Sequence, residues 1–187
     1  MSGLIRCFVS VDVEDESLLD MFQSLQRMLL ETGNPMRLVK RENMHLTLRF
    51  LGEIPEPRVR QVMKGLAELM FERFRIEFKG LGVFPSRSFV RVVWVGVGKG
   101  VRELESIHSQ LNEVLRRVGF ESEKLSPHLT IARVKTVRNR QGLLRVLDEY
   151  GETSFGFMEV SSVRLKRSIL TPKGPVYTTL MEVKPKP

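Results

Sequence analysis

The sequence predicts an α+β sandwich, with helices covering the outer faces of largely antiparallel sheets. Three observations carry that expectation. Alternating apolar stretches are interleaved with single stretches of helical spacing through both halves of the chain. No Pro- or Ser-rich linker divides those halves, so residues 1–187 read as one structural unit. A hydrophobic fraction of 42% and a charged fraction of 28% suit a packed core and exclude a disordered or fibrous chain.

The elements follow in order. Leu4 to Val13 alternates around Phe8-Val9-Ser10-Val11 and reads as a strand. Asp15 to Glu31 places Leu18, Leu19, Phe22, Leu25, Met28 and Leu29 at helical spacing, and Gly33-Asn34-Pro35 stops it. Met44 to Leu51 is a second strand, closed by Gly52 and Pro55, and a helix follows from Pro57 to Phe71. Arg73 to Val83 and Phe89 to Val97 read as a hairpin pair. The second half reuses these patterns: a helix over Val101 to Val118 capped by Gly119, a strand over Leu129 to Val134, and a short helix over Gly142 to Tyr150. Phe157 to Leu170 and Val176 to Val183 close the chain as strands around a Pro/Gly turn, with a frayed tail from Lys184 to Pro187.

No apolar run approaches the ~20 residues that would span a bilayer. Arg6 falls where a signal peptide needs its apolar region, so the expectation is a cytoplasmic protein with no membrane partner. The single cysteine, Cys7, excludes an intramolecular disulfide and, within an apolar stretch, reads as core. The net charge of +8 attracts polyanions such as RNA or DNA, and its scattered distribution fits a basic groove rather than a basic tail.

Two of the three histidines stand in nearly the same tetrapeptide, His45-Leu46-Thr47-Leu48 and His128-Leu129-Thr130-Ile131, 128 − 45 = 83 residues apart. With only 8 threonines in 187 residues, one His-x-Thr says little, but the matched pair is a specific signal. Side chains two apart on a strand share a face, so each copy presents an imidazole beside a hydroxyl while the apolar partners point to the core. An imidazole transfers protons both ways near neutrality, and a threonine hydroxyl donates to phosphate oxygen. Two such units facing each other can hold a phosphodiester, deprotonate an attacking water and protonate the departing oxygen, with no metal and no cofactor. Zinc would want three or four ligands, and no third stands in register with the two histidines. The residues themselves do not say which histidine is the acid. The third histidine, His108, borders a helical apolar stripe and receives no chemistry.

With these motifs stand Arg6-Cys7-Phe8-Val9-Ser10-Val11-Asp12, Glu42-Asn43-Met44, Phe50-Leu51-Gly52-Glu53 and the stretch Arg91 to Val97. Ser126-Pro127 precedes the second motif, Ala132-Arg133 follows it, and Gly174-Pro175-Val176-Tyr177 comes near the end. Through these segments nearly the whole chain resembles the two-histidine (2H) phosphoesterase superfamily, and within it the RNA 2′,3′-cyclic phosphodiesterases, historically called 2′-5′ RNA ligases. The resemblance implies two ferredoxin-like lobes related by a pseudo-twofold, their antiparallel sheets lining a central cleft with helices outside. Each lobe would supply one motif, 45–48 and 128–131, to a single two-lobed domain. It implies His45 as proton donor to the 3′ leaving oxygen, His128 as proton acceptor from water, and Thr47 and Thr130 as phosphate-binding groups. The product would be a 2′-phosphate, and the partners RNA ends bearing a cyclic phosphate, tRNA fragments among them, met by a monomer. Ligation forming 2′-5′ linkages at the same site, and a non-catalytic module that holds RNA ends, are the competing readings.

Four further residues are candidates for substrate contact. Phe8, on one face of the first strand, could stack on a base or belong to the core. Arg133 offers a bidentate guanidinium, although strict alternation sets it opposite His128 unless a bulge turns it. Arg167 and Tyr177 are drawn from the C-terminal strands. Trp94, within Val92-Val93-Trp94-Val95, reads as packing.

Overall fold

Period-two alternation and amphipathic helices produce nine strands and four helices in the computed structural model, which describes residues 3–186. In chain order these are β1 (Leu4–Asp12), α1 (Glu16–Glu31), β2 (Met36–Leu38), β3 (His45–Pro55), α2 (Glu56–Leu66), β4 (Phe74–Ser86) and β5 (Phe89–Val97). Then follow α3 (Val101–Arg117), β6 (His128–Val134), α4 (Arg140–Glu149), β7 (Ser154–Val160), β8 (Val163–Thr171) and β9 (Gly174–Val183).

The pairing is antiparallel throughout, in the order β7-β4-β5-β6-β3-β1-β8-β9, with β2 beside β6. Two half-sheets meet at one residue pair, Leu46 of β3 against Leu129 of β6. The half containing β3, β1, β8 and β9 is covered by α2 and α3, and the half containing β7, β4, β5 and β6 by α1 and α4. Each lobe therefore draws a helix from the far half of the sequence. Leu46, Leu48, Leu129 and Ile131 are buried in one continuous core with the helix residues Phe22, Leu25, Val62, Leu104 and Leu111. The opposite face of the sheet at the seam carries His45, Thr47, His128 and Thr130, all half-buried.

Local chemistry fixes the helix ends. The Asp15 carboxylate accepts from Leu18 N at 2.9 Å and starts α1, and the Asn139 side chain accepts from Gly142 N at 2.9 Å and starts α4. At the end of α3, Gly119 takes φ 84°, and Phe120 N and Gly119 N reach the carbonyls of Leu115 and Arg116 at 3.0 Å each. That double turn-back needs a left-handed residue, which glycine supplies without a Cβ clash.

Besides β2, a strand absent from the sequence expectations, and β4, which runs on through Phe84 to Ser86, the structure departs from those expectations at four places. Phe157 to Leu170 is not one strand: it breaks at Ser161-Ser162, and β7 and β8 lie toward opposite edges of the sheet. Helix α2 stops at Leu66, because Met70 N and O are taken by the Gln110 side chain at 2.9 and 2.8 Å. Strand β3 runs on to Pro55, absorbing Gly52 at a bulge opposite Cys7. The tail is tied down as far as Lys186, whose N donates to Phe71 O at 2.9 Å, while Pro187, like Met1 and Ser2, lies outside the described residues. No helix among the described residues is long and apolar enough to cross a membrane.

Candidate active site

The antiparallel register that pairs Leu46 with Leu129 sets Thr47 across from His128 and His45 across from Thr130. The two histidines are thus diagonal neighbours on one face, a relation that sets such residues about 7–8 Å apart and their Cβ atoms somewhat closer. One approximate twofold, through the Leu46–Leu129 pair, relates the motifs.

Both imidazoles are held in the same way. His45 Nδ1 lies 2.7 Å from Asn43 O, and His128 Nδ1 lies 2.7 Å from Ser126 O. A carbonyl only accepts, so each Nδ1 carries a hydrogen, and each Nε2 is left as the atom that gains or loses a proton. His45 Nε2 is 3.0 Å from Thr47 Oγ1. Asn43 is itself fixed, donating Nδ2 to Pro175 O at 2.9 Å, so the β8–β9 turn braces the residue that orients His45.

The surroundings break the symmetry. Phe8 and Tyr177 pack against the His45 ring at 4.9 and 5.4 Å between centroids, and Phe8 also touches Tyr177 and Phe50. Beneath them Asp12 accepts from Lys166 at 2.5 Å, Arg164 at 3.0 Å and Ser10 at 2.8 Å. Burial works to raise the Asp12 carboxyl, but these hydrogen bonds hold it below the usual carboxylate range. Burial pulls His45 below the ordinary imidazole value, against the Asn43 hydrogen bond and the Asp12 charge, which raise it. His128 instead meets Phe84 edge-on at 4.9 Å and Trp94 at 6.2 Å. The Trp94 ring lies over Gly82, where a Cβ would come within 2.1 Å of it, and its buried Nε1 has no hydrogen-bond partner among the described residues.

Of the eight candidate residues, the structure brings seven to this face. Phe8 is buried yet sits on it, as the floor beneath His45. Arg133 reaches it because Ile131 is bulged: Trp94 pairs with Thr130 but Val93 with Ala132, so one residue is skipped and the alternation inverts. Arg133 is exposed between the buried Ala132 and Val134, and its charge and that of Arg6 oppose the rise that burial gives the Tyr177 phenol. The same bulge recurs at Leu48 and turns Phe50 onto the site face and Arg49 into the core. Arg167 is not brought in; it pairs with Cys7 on the helix side, and Lys166 holds the place facing the site. Trp94, expected as packing, lies beside His128. Cys7 is buried, and its thiol is pushed up to about 11 by that burial, which leaves it unreactive.

Asn43, Asp12, Lys166, Phe50 and Phe84 escaped the sequence reading as site residues. Asp12 and Asn43 stood in the segments that carried the family resemblance; Lys166 and Phe84 gave no local signal.

The sequence matches the family described as LigT like phosphoesterase twice, over residues 11–94 and 95–177. An RNA 2′,3′-cyclic phosphodiesterase of Aeropyrum pernix is 49% identical over 162 residues, covering 86% of this chain and 92% of that protein. One of Archaeoglobus fulgidus is 40% identical over 177 residues, covering 94% and 98%. Among solved structures, TT0787 of Thermus thermophilus superposes with a TM-score of 0.73 at 29% identity, covering 96% of this chain and 97% of that one. E. coli LigT in apo form gives 0.79 at 22% identity, with both chains covered completely.

Proposed function

The chain belongs to the LigT-like phosphoesterase family, and from that premise we propose that it hydrolyses RNA 2′,3′-cyclic phosphate ends to 2′-phosphates by proton transfer between His45 and His128, without a metal. The observation that carries this reading is the pair of Nδ1-anchored imidazoles facing one space across the Leu46–Leu129 seam. The substrate assignment is supported by relatives named RNA 2′,3′-cyclic phosphodiesterase at 49% and 40% identity.

In this mechanism water attacks phosphorus while His128 Nε2 takes its proton. The P–O3′ bond breaks, and His45 Nε2 gives its proton to O3′, leaving a 3′-hydroxyl and a 2′-phosphate. Thr47 and Thr130 donate to the non-bridging oxygens, and Arg133 and Lys166 add positive charge. His45 must start protonated. Burial opposes this; Asp12 and the negative charge of the bound phosphate favour it. Thus the substrate itself helps to arm the acid.

The test is incubation with a nucleoside 2′,3′-cyclic phosphate in excess chelator, with identification of the monophosphate isomer. The expected product is the 2′-phosphate. Activity lost to chelator and restored by a divalent ion would overturn the metal-free route, and tight binding with no turnover would favour a binding module.

A further inference from the structure

Away from the histidines, at the edge of the lobe formed by β4–β6 and α4, lies a cavity of about 430 Å³. Arg87, Arg91, Lys135 and Arg140 line it; Arg87 is ion-paired with Asp148 at 2.5 Å and Arg140 donates to the carbonyls of Arg87 and Ser88, so Arg91 and Lys135 carry the charge that a ligand would meet. Its apolar wall includes Phe89 and the α4 residue Leu143. Phe89 is 56% exposed, and the Arg91 guanidinium lies over its ring at 4.5 Å. Cations beside an aromatic face are the combination that holds a nucleotide, the ring stacking on the base and the cations meeting its phosphates.

We propose that this pocket binds an upstream nucleotide of the RNA strand whose 3′ end is processed at His45 and His128. The inference rests on the hydrolase reading above and deepens it, giving the substrate a minimum length. Strand β6 provides the path. It carries His128 and Thr130 at the seam, then Arg133 on the site face, and Lys135 follows at the pocket. Val92, the strand neighbour of Arg91, pairs with Arg133, so Arg91 stands one residue along β5 from the position beside that site-face cation. From His128 to Lys135 is seven residues, about 23 Å at ~3.3 Å per strand residue. A stacked strand advances ~3.4 Å per nucleotide, so the pocket is reached by about the seventh nucleotide, or sooner if the strand is extended.

The experiment compares a decanucleotide ending in a 2′,3′-cyclic phosphate with a cyclic mononucleotide, using wild type, Phe89→Ala and Arg91→Glu. Both side chains are exposed and outside the catalytic face. Each change should lower kcat/KM for the decamer about five- to a hundredfold, the range of one lost base stack, and leave the mononucleotide unchanged. Titration of a fluorescent decamer ending in a 3′-phosphate should show the same loss of affinity. Variants that process and bind the decamer like wild type, or that lose decamer and mononucleotide activity equally while binding the decamer normally, would overturn the proposal. A wild type that hydrolyses neither substrate would sink the hydrolase reading instead. The titration would then still decide this pocket, weaker binding by the variants upholding it and equal binding overturning it.

Discussion

At the scale of single residues, the two imidazoles should behave as one device. His45→Ala and His128→Ala should each reduce turnover of a cyclic phosphate roughly 10²–10⁴-fold, and the double variant should lose far less than the product. Thr47→Ala and Thr130→Ala should cost less than either. The depressed His45 pKa also has a sign that can be read. If His45 must be protonated, the limb of kcat/KM that falls with rising pH reports the free enzyme and lies below the ordinary imidazole value. The same limb of kcat reports the complex and should sit higher, because a bound phosphate stabilises the imidazolium. Coincident limbs would remove the substrate-armed acid. The four polar groups were legible in the sequence because the tetrapeptide is duplicated, and duplication needs no knowledge of distant contacts. Lys166 and Arg164 were not, since their role depends on Asp12, 154 and 152 positions away.

At the scale of elements, the informative departures from regularity are the bulges at Leu48 and Ile131. Alternation alone sends Arg133 to the core side; one skipped residue returns it to the site. No composition signal marks that skip, which follows from how β6 pairs with β5. The β4–β5 pair offers a second example, in which Gly82 is empty so that Trp94 can lie flat. Gly82→Ala should push the indole out of its place beside His128 and cost about 1–3 kcal/mol through overpacking. Trp94 is the only tryptophan in the chain, so its emission should shift with the substitution, together with a fall in kcat. Unchanged emission would mean the ring is not held by this contact. Helix and strand existence was mostly legible from periodicity. The break of Phe157–Leu170 into two strands was not, because apolar and polar residues alternate on both sides of the break and only the pairing partners tell β7 and β8 apart.

At the scale of the whole molecule, acid should weaken the fold in two stages. His45 and His108 both have pKa values lowered mainly by burial, so the native state binds fewer protons there than the unfolded chain. Their contribution is complete above the unfolded value of ~6.5 and is lost as pH falls through the lower native values. The depressed Asp12 carboxyl adds stability above the unfolded ~3.9 that disappears below it. Thermal melts at steps from pH 7 to 3 should show both losses, and His108→Gln should flatten the first; an unaltered first stage would contradict this account of His108. The α+β class could be read from the sequence, but the membership of each lobe could not, since α1 crosses to cover β6 and β7 while α3 returns to cover β3. That interleaving bears on the order in which the protein is made. As residues emerge from the ribosome, β1 and β3 can pair at once, yet β1 lacks its other neighbour until β8 has been synthesised. Asp12 waits as long for its two cations, and Asn43 waits for the carbonyl of Pro175. A nascent chain halted before residue 163 would therefore carry both histidine motifs and still have an unbraced His45, so competence would arrive late in translation, in one step.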